Sequence, residues 1–214
     1  MTALAALTKK VRLGFSMLIP GFRYPPVLAK MAASLDEISN GRLIMGFGAG
    51  WFKKEYDAYG ISWEEHDDLI EIEREAVLVM KALWTQSIAS FSGRYYHVKE
   101  AVMEPKTIQK PHPPIWIGGN SSKTMEVAAE LGDGWFSDAI PPEELKDKVA
   151  SIKKTVRDRP MEYATTFGDR PSDKTSETIG EVRRYAEAGV TLLVIDFHDT
   201  KALESFAERI LPNI

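Results

Sequence analysis

Two glycine-rich stretches are the residues best placed to do chemistry in this chain. Gly118-Gly119-Asn120-Ser121-Ser122-Lys123-Thr124 joins the apolar run Ile115-Trp116-Ile117 to a helical stretch. At such a junction free backbone N–H groups and the helix dipole favour an anion. Ser121 and Thr124 add hydroxyl donors, and the two glycines let backbone approach a phosphate. The same pattern also serves as an ordinary helix N-cap. Gly46-Phe47-Gly48-Ala49-Gly50 superficially suggests a dinucleotide fingerprint. Its spacing is not G-x-G-x-x-G, and Trp51-Phe52-Lys53-Lys54 start no clear helix, which argues against a Rossmann site. The cluster suits either a flat ligand lying against the backbone or a tight turn.

The remaining polar candidates form no constellation. His66 sits in Glu64-Glu65-His66-Asp67-Asp68, a metal-like composition that reads better as the solvated first turn of a helix. His97 falls in a hairpin and His112 in a proline-rich approach. His198 follows the last strand and is the histidine to test. Asp138 and Asp196 are candidate acids near strand ends, and Asp36 and Arg42 read as a structural pair. The chain has no cysteine, which excludes thiol catalysis and a cysteine-based zinc site. It also has no G-x-S-x-G elbow, Walker loop or H-E-x-x-H.

The elements that must carry these residues alternate short apolar runs with amphipathic stretches, the pattern of βαβ units on a parallel sheet. Residues 11–19 read as a strand closed by Pro20-Gly21. A helix follows with Val27, Leu28, Met31, Ala32, Leu35 and Ile38 on one face, ended by Asn40-Gly41. Residues 42–47 are a strand. Residues 64–84 are a helix with a capping box of Ser62 and Glu65 and a core stripe of Leu69, Ile72, Ala76, Met80 and Leu83. Residues 91–98 read as a hairpin within an excursion over 85–114. Further strands are expected at 115–117, 134–137, 162–167 and 192–197, with helices ending at Leu131 and spanning 143–156, 177–188 and 202–211. Trp51, Phe52, Tyr56, Trp116 and Trp135 lie near strand ends; each suits a core, and together they suit a broad, flat ligand such as an isoalloxazine ring.

The length is 214 residues, short for a complete (β/α)8 barrel of about 250. Six strand-helix units of about 30 residues, plus the excursion, account for it. With 44% hydrophobic and 27% charged residues the composition is globular, which sets disordered and fibrous classes aside. The net charge of -4, with no Lys/Arg cluster, disfavours nucleic acid and anionic membrane as partners. No apolar run approaches the ~18 residues of a membrane span, so a soluble, cytoplasmic protein is expected.

Four motifs together resemble the bacterial-luciferase-like family of flavin and deazaflavin oxidoreductases. They are Arg12-Leu13-Gly14-Phe15-Ser16-Met17-Leu18; Leu35 through Arg42 continuing into Gly46-Phe47-Gly48-Ala49-Gly50-Trp51; Pro113 through Ser121; and Gly132-Asp133-Gly134-Trp135. The resemblance implies an α/β fold, a TIM-barrel-like (β/α)8 of the luciferase type. It would be incomplete, with about six units, because the first two strands have no counterpart. The whole of 1–214 would be one domain, with 85–114 as the insertion before the strand at Ile115, and residues 3–8 the tail of the second helix.

The resemblance also implies cofactor contacts. Ser16-Met17 aligns with a cis peptide against the ring, Gly48, Ala49 and Gly50 border the ring, and Gly118, Gly119, Asn120, Ser121 and Thr124 match the phosphate region. Ala49 stands where the luciferase branch carries an arginine for FMN phosphate, so coenzyme F420 is favoured, with FMN the alternative. The expected reaction is hydride transfer with F420 on a small organic substrate. The alternatives are an FMN-dependent monooxygenase and a catalytically silent relative or fragment. An acidic proton donor of sugar-phosphate-oxidising members aligns with Trp51, and the usual catalytic histidine falls in the absent segment, so no catalytic residue is assigned. Open sheet edges at 11–19 and 192–197 lead to the expectation of a homodimer.

Overall fold

The computed structural model describes residues 1–157, 159–167, 175–197 and 199–214. They fall into two compact units, Met1–Asp133 and Gly134–Ile214. Among the described residues each carries three parallel strands, and a helix follows each of these six, giving the six β/α repeats expected.

The first unit opens with α1 (Thr2–Leu7) and β1 (Leu13–Gly14). Then come α2 (Pro25–Ser39) and β2 (Leu43–Gly48). β1 is far shorter than the expected 11–19. After Gly14 the chain leaves the ladder, passes through a cis Ser16-Met17 peptide, and touches β2 again only at the Leu18–Phe47 bridge. β2 is buried along nearly its whole length, which is why it reads as a continuous apolar run. α2 ends as expected, with Asn40 left-handed at φ 57° and Gly41 at φ 73°. Its inward face differs from the expected one. Leu28, Ala32 and Leu35 are buried together with Ala29 and Ala33, while Val27, Met31 and Ile38 are exposed. The small alanines let the helix come close, and the Trp84 indole N–H, itself buried, reaches the Ala29 carbonyl at 3.0 Å.

α3 (Lys53–Tyr59) occupies a segment where no helix was expected. It is short and Gly60 caps it at φ 68°. Tyr56 anchors it edge-on between Phe22 at 4.6 Å and Trp63 at 5.0 Å. α4 (His66–Thr85) has Glu65 as its N-cap with no side-chain cap, so the Ser62–Glu65 capping box is absent. Trp63 is held on Tyr56, and residues 62–65 stay outside the helix. Leu69, Ala76, Met80 and Leu83 are buried as expected, and Ile72 is half-buried.

The excursion folds as an antiparallel hairpin of β3 (Ala89–Ser92) and β4 (His97–Ala101). β5 (Ile115–Gly118) then pairs with β2, Gly48 opposite Gly118, and α5 (Ser122–Leu131) closes the unit. Asp36 and Arg42 have separate partners. Asp36 accepts from the Gln109 backbone N–H at 3.0 Å and its amide at 2.7 Å. Arg42 ties the carbonyls of Ala5, Thr8 and Val11.

The second unit runs β6 (Gly134–Ser137), α6 (Pro142–Val156), β7 (Glu162–Thr166), α7 (Thr175–Glu187), β8 (Leu192–Val194) and α8 (Thr200–Arg209). β7 pairs with both β6 and β8, and Ser137 donates to Thr165 at 2.7 Å in the core. β8 stops at Val194, short of the expected 197. α8 starts two residues early because Asp199 caps it, accepting from the Ala202 N–H at 2.8 Å.

Candidate functional site

All the cofactor residues expected from sequence lie in the first unit. They gather at the C-terminal ends of β1, β2 and β5, or in the loops that follow, the edge at which open α/β sheets bind ligands. The Ser16-Met17 peptide is cis, as the resemblance implies. Leu18 N–H donates to the Gly46 carbonyl and Gly48 N–H to the Leu18 carbonyl, both at 2.9 Å, so this bulge is tied directly to the glycine turn.

Much of the glycine requirement comes from the protein itself. A Cβ on Gly46 would lie 1.9 Å from the Phe15 carbonyl oxygen. One on Gly118 would lie 2.9 Å from Met17 Cγ, and one on Gly48 3.3 Å from Met17 Cβ. Met17 thus lies across both strands, and its side chain, half-buried, is the surface offered above Gly48 and Gly118. Gly50, at φ 93°, faces Tyr56, whose hydroxyl donates to the Ala49 carbonyl at 3.0 Å. Burial, with Glu55 nearby, pushes the Tyr56 hydroxyl up to about 12, so it stays a donor.

The loop after β5 turns at Gly119, φ 141°, with Thr124 packed beneath it. Ser121 Oγ accepts from the Thr124 N–H at 3.1 Å and lies 2.8 Å from the Thr124 hydroxyl. This is the N-cap arrangement. It leaves a loop of half-buried residues, 118–121, at the start of a ten-residue helix with no acidic side chain in its first turn. That donor set fits a phosphate. Lys123 turns away toward Asp67, 3.3 Å distant.

The other candidates scatter. Trp116, Trp135 and Tyr56 are core residues, while Trp51 is 83% exposed, with its ring tilted against Phe52 at 5.3 Å. His66 and His97 are exposed, as are Asp138 and Asp196. His112 donates from Nδ1 to the Pro113 carbonyl at 2.9 Å, and burial lowers its pKa. His198 lies outside the described residues. Among the described residues no group of acidic and histidine side chains could hold a metal ion.

One feature near the turn was missed from sequence. A cavity of ≈ 290 Å³ lies beside Ala49, Gly21 and Tyr56, with Tyr95, Tyr96 and the buried Glu73 also on its wall. The available signal was Glu73's place in the apolar stripe of α4, four residues after Leu69 and three before Ala76.

A family model for luciferase-like monooxygenases matches residues 1–190. The FMNH(2)-dependent dimethylsulfone monooxygenase of Pseudomonas putida is 34% identical over 151 residues, 71% of this chain and 41% of that protein. The F420-dependent glucose-6-phosphate dehydrogenase of Amycolatopsis mediterranei (strain U-32) is 31% identical over 190 residues, 83% of this chain and 56% of that protein. The chain therefore spans from about two-fifths to just over half the length of these relatives. Among solved structures, an F420-dependent secondary alcohol dehydrogenase with an F420-acetone adduct superposes with a TM-score of 0.86 at 21% identity, over 99% of this chain and 82% of that one. The oxygenating constituent of 3,6-diketocamphane monooxygenase from Pseudomonas putida, with FMN, gives 0.76 at 17%, over 100% and 83%. Those two likenesses are of fold.

Proposed function

Since the chain belongs to the luciferase-like monooxygenase family, we propose that it is an oxidoreductase using coenzyme F420 on a small organic substrate. In this reading Met17 and the turn Gly48-Ala49-Gly50 border the ring, with Ser16 beside them. Gly118, Gly119, Asn120, Ser121 and Thr124 hold the phosphate end. When bound, the deazaflavin supplies hydride transfer. The protein's part is to shape the edge of β1, β2 and β5, to exclude water with Met17, and to present N–H and hydroxyl donors at the start of α5. The observation that carries the reading is the junction itself: the segment 16–18, hydrogen-bonded to the glycine turn, and the capped α5 loop meet on neighbouring strands of one unit.

F420 is preferred because Ala49, where an arginine would serve FMN phosphate, is buried with its carbonyl engaged by Tyr56. The 34% identity to an FMNH(2)-dependent relative supports FMN as the second reading. The reading includes a single barrel-type domain over 1–214, a cytoplasmic setting and a homodimer. Among the described residues no helix is long and apolar enough to cross a membrane.

Titration with F420 and with FMN, followed by absorbance and fluorescence, tests it. F420 is expected to bind more tightly, and Ser121→Asp to weaken it at least tenfold while leaving the melting temperature unchanged. Aspartate caps a helix as well as serine does but repels a phosphate. Undiminished binding to Ser121→Asp would leave this loop a cap alone, and tighter binding of FMN would select the second reading.

A further inference from the structure

Glu73 is fully buried in the middle of α4, and neither carboxyl oxygen has a hydrogen-bond partner among the described residues. Buried polar groups are ordinarily satisfied, and an exception of this kind calls for an explanation. Glu75, two residues further along the chain and also buried, shows the ordinary solution. It accepts backbone N–H groups from Tyr95 at 2.8 Å and Tyr96 at 2.9 Å, and also from Arg94. Glu73 instead lines the ≈ 290 Å³ cavity, close to the lower end of ordinary small-ligand pockets, roughly 300–1,000 Å³. Leu69, Ile72 and Ile61 make much of the remaining wall apolar.

We propose that this cavity is a subsite for a compact neutral ligand carrying a carbonyl oxygen, which accepts a hydrogen bond from the Glu73 carboxylic acid. Burial alone raises the Glu73 pKa to about 8, so at neutral pH it is the protonated donor that such an oxygen requires. Glu73 belongs to the cavity lining but has no exposed surface, so an occupant reaches its carboxyl only when neighbouring wall side chains shift. Four other titratable groups share the wall: Tyr56 of α3, Glu64 before α4, and Tyr95 and Tyr96 of the hairpin turn. Burial raises the pKa of all three tyrosines, so none becomes a competing anion near neutrality. Among the described residues the wall offers no lysine, arginine or histidine to pair with Glu73, which favours a neutral ligand over a carboxylate. Because Ala49 belongs to both this wall and the glycine turn, an occupant would lie beside the proposed ring. Its role as substrate rests on the proposed redox function, whereas occupancy of the cavity does not.

The test uses the cofactor-free protein with cyclohexanone, methylcyclohexane and cyclohexylammonium as probes, followed by ligand-observed NMR at pH 6.5 and 9. Cyclohexanone should bind best at pH 6.5 and weaken severalfold at pH 9 as Glu73 ionises. Glu73→Gln, which keeps a donor, should hold affinity within about threefold at both values. Glu73→Leu should fold at least as stably as the parent yet bind at least tenfold more weakly. Equal binding of cyclohexanone to Glu73→Leu would overturn the proposal. So would stronger binding of cyclohexylammonium, equal binding of methylcyclohexane, or no binding at all. Since no cofactor is present, none of these outcomes bears on whether F420 or FMN binds.

Discussion

Glu73 and Glu75 lie on one turn of α4 and are both buried, yet physics treats them oppositely. Glu75 is held by three backbone donors and stays in place as part of the hairpin. Desolvation lifts Glu73 from the ordinary glutamate value of 4.5 to about 8. Between those two values the folded chain keeps a proton that the unfolded chain has released, so stability must fall as pH rises through this window and level off above it. Each unit of such a shift is worth about 1.4 kcal/mol at most. Glu73→Gln removes the titration. Its stability relative to the parent should therefore climb from pH 5 to pH 8.5, by a total of a few kcal/mol, in urea melts at matched ionic strength. A difference that does not change with pH would show that the native carboxyl is solvated. The apolar stripe of α4 was legible in the sequence without this residue, and its cavity was not legible, because Tyr95 and Tyr96 arrive from a hairpin distant in sequence. The glycines at 46, 48 and 118 were visible too, yet their cause was not. The Phe15 carbonyl and Met17 side chain that crowd a Cβ there come from the bulge after β1.

Elements were legible where one local rule governed them. The buried strands β2, β5, β6 and β7 and the helices between them follow from apolar runs bounded by glycine, proline or asparagine. They failed where a distant contact decided. β1 is cut short by its bulge onto β2, α3 is stabilised by the Phe22–Tyr56–Trp63 aromatic cluster, and α2 buries alanines because α4 closes on it. The hairpin combines both cases. Its turn was legible in Gly93, but what fixes it is Glu75. A Cβ at position 93 would fall within 2.5 Å of all three carboxyl-group atoms. Glu75→Gln keeps the shape but replaces one acceptor oxygen with a donor facing N–H groups. Leaving buried donors unsatisfied costs about 1–3 kcal/mol each, more where the acceptor is charged. Glu75→Gln should thus lower stability by roughly 2–4 kcal/mol and raise hydrogen exchange first at Tyr95 and Tyr96. Uniform acceleration across the unit would argue against a local clamp.

At the scale of the whole molecule, the chain presents more apolar surface than its core needs. Leu4 and Leu7 of α1 and Val27, Met31 and Ile38 of α2 are each at least half exposed, and α1 packs on α2. Single exposed apolar residues are commonplace, whereas several on two adjoining helices mark an interaction surface. The sequence reading set Val27, Met31 and Ile38 on the packed face of α2, and only the structure turns them outward. A second copy of the chain is the occupant that needs no further component, and a self-complementary helical face is the ordinary way to build a two-fold dimer. Sedimentation velocity at micromolar concentration should therefore give a dimer. Met31→Glu with Ile38→Glu should give a folded monomer with unchanged circular dichroism, because neither side chain contributes to the core. A parent that sediments as a monomer across the concentration range would remove the dimer. A variant that remains dimeric would move the interface away from α2, toward an unpaired strand edge.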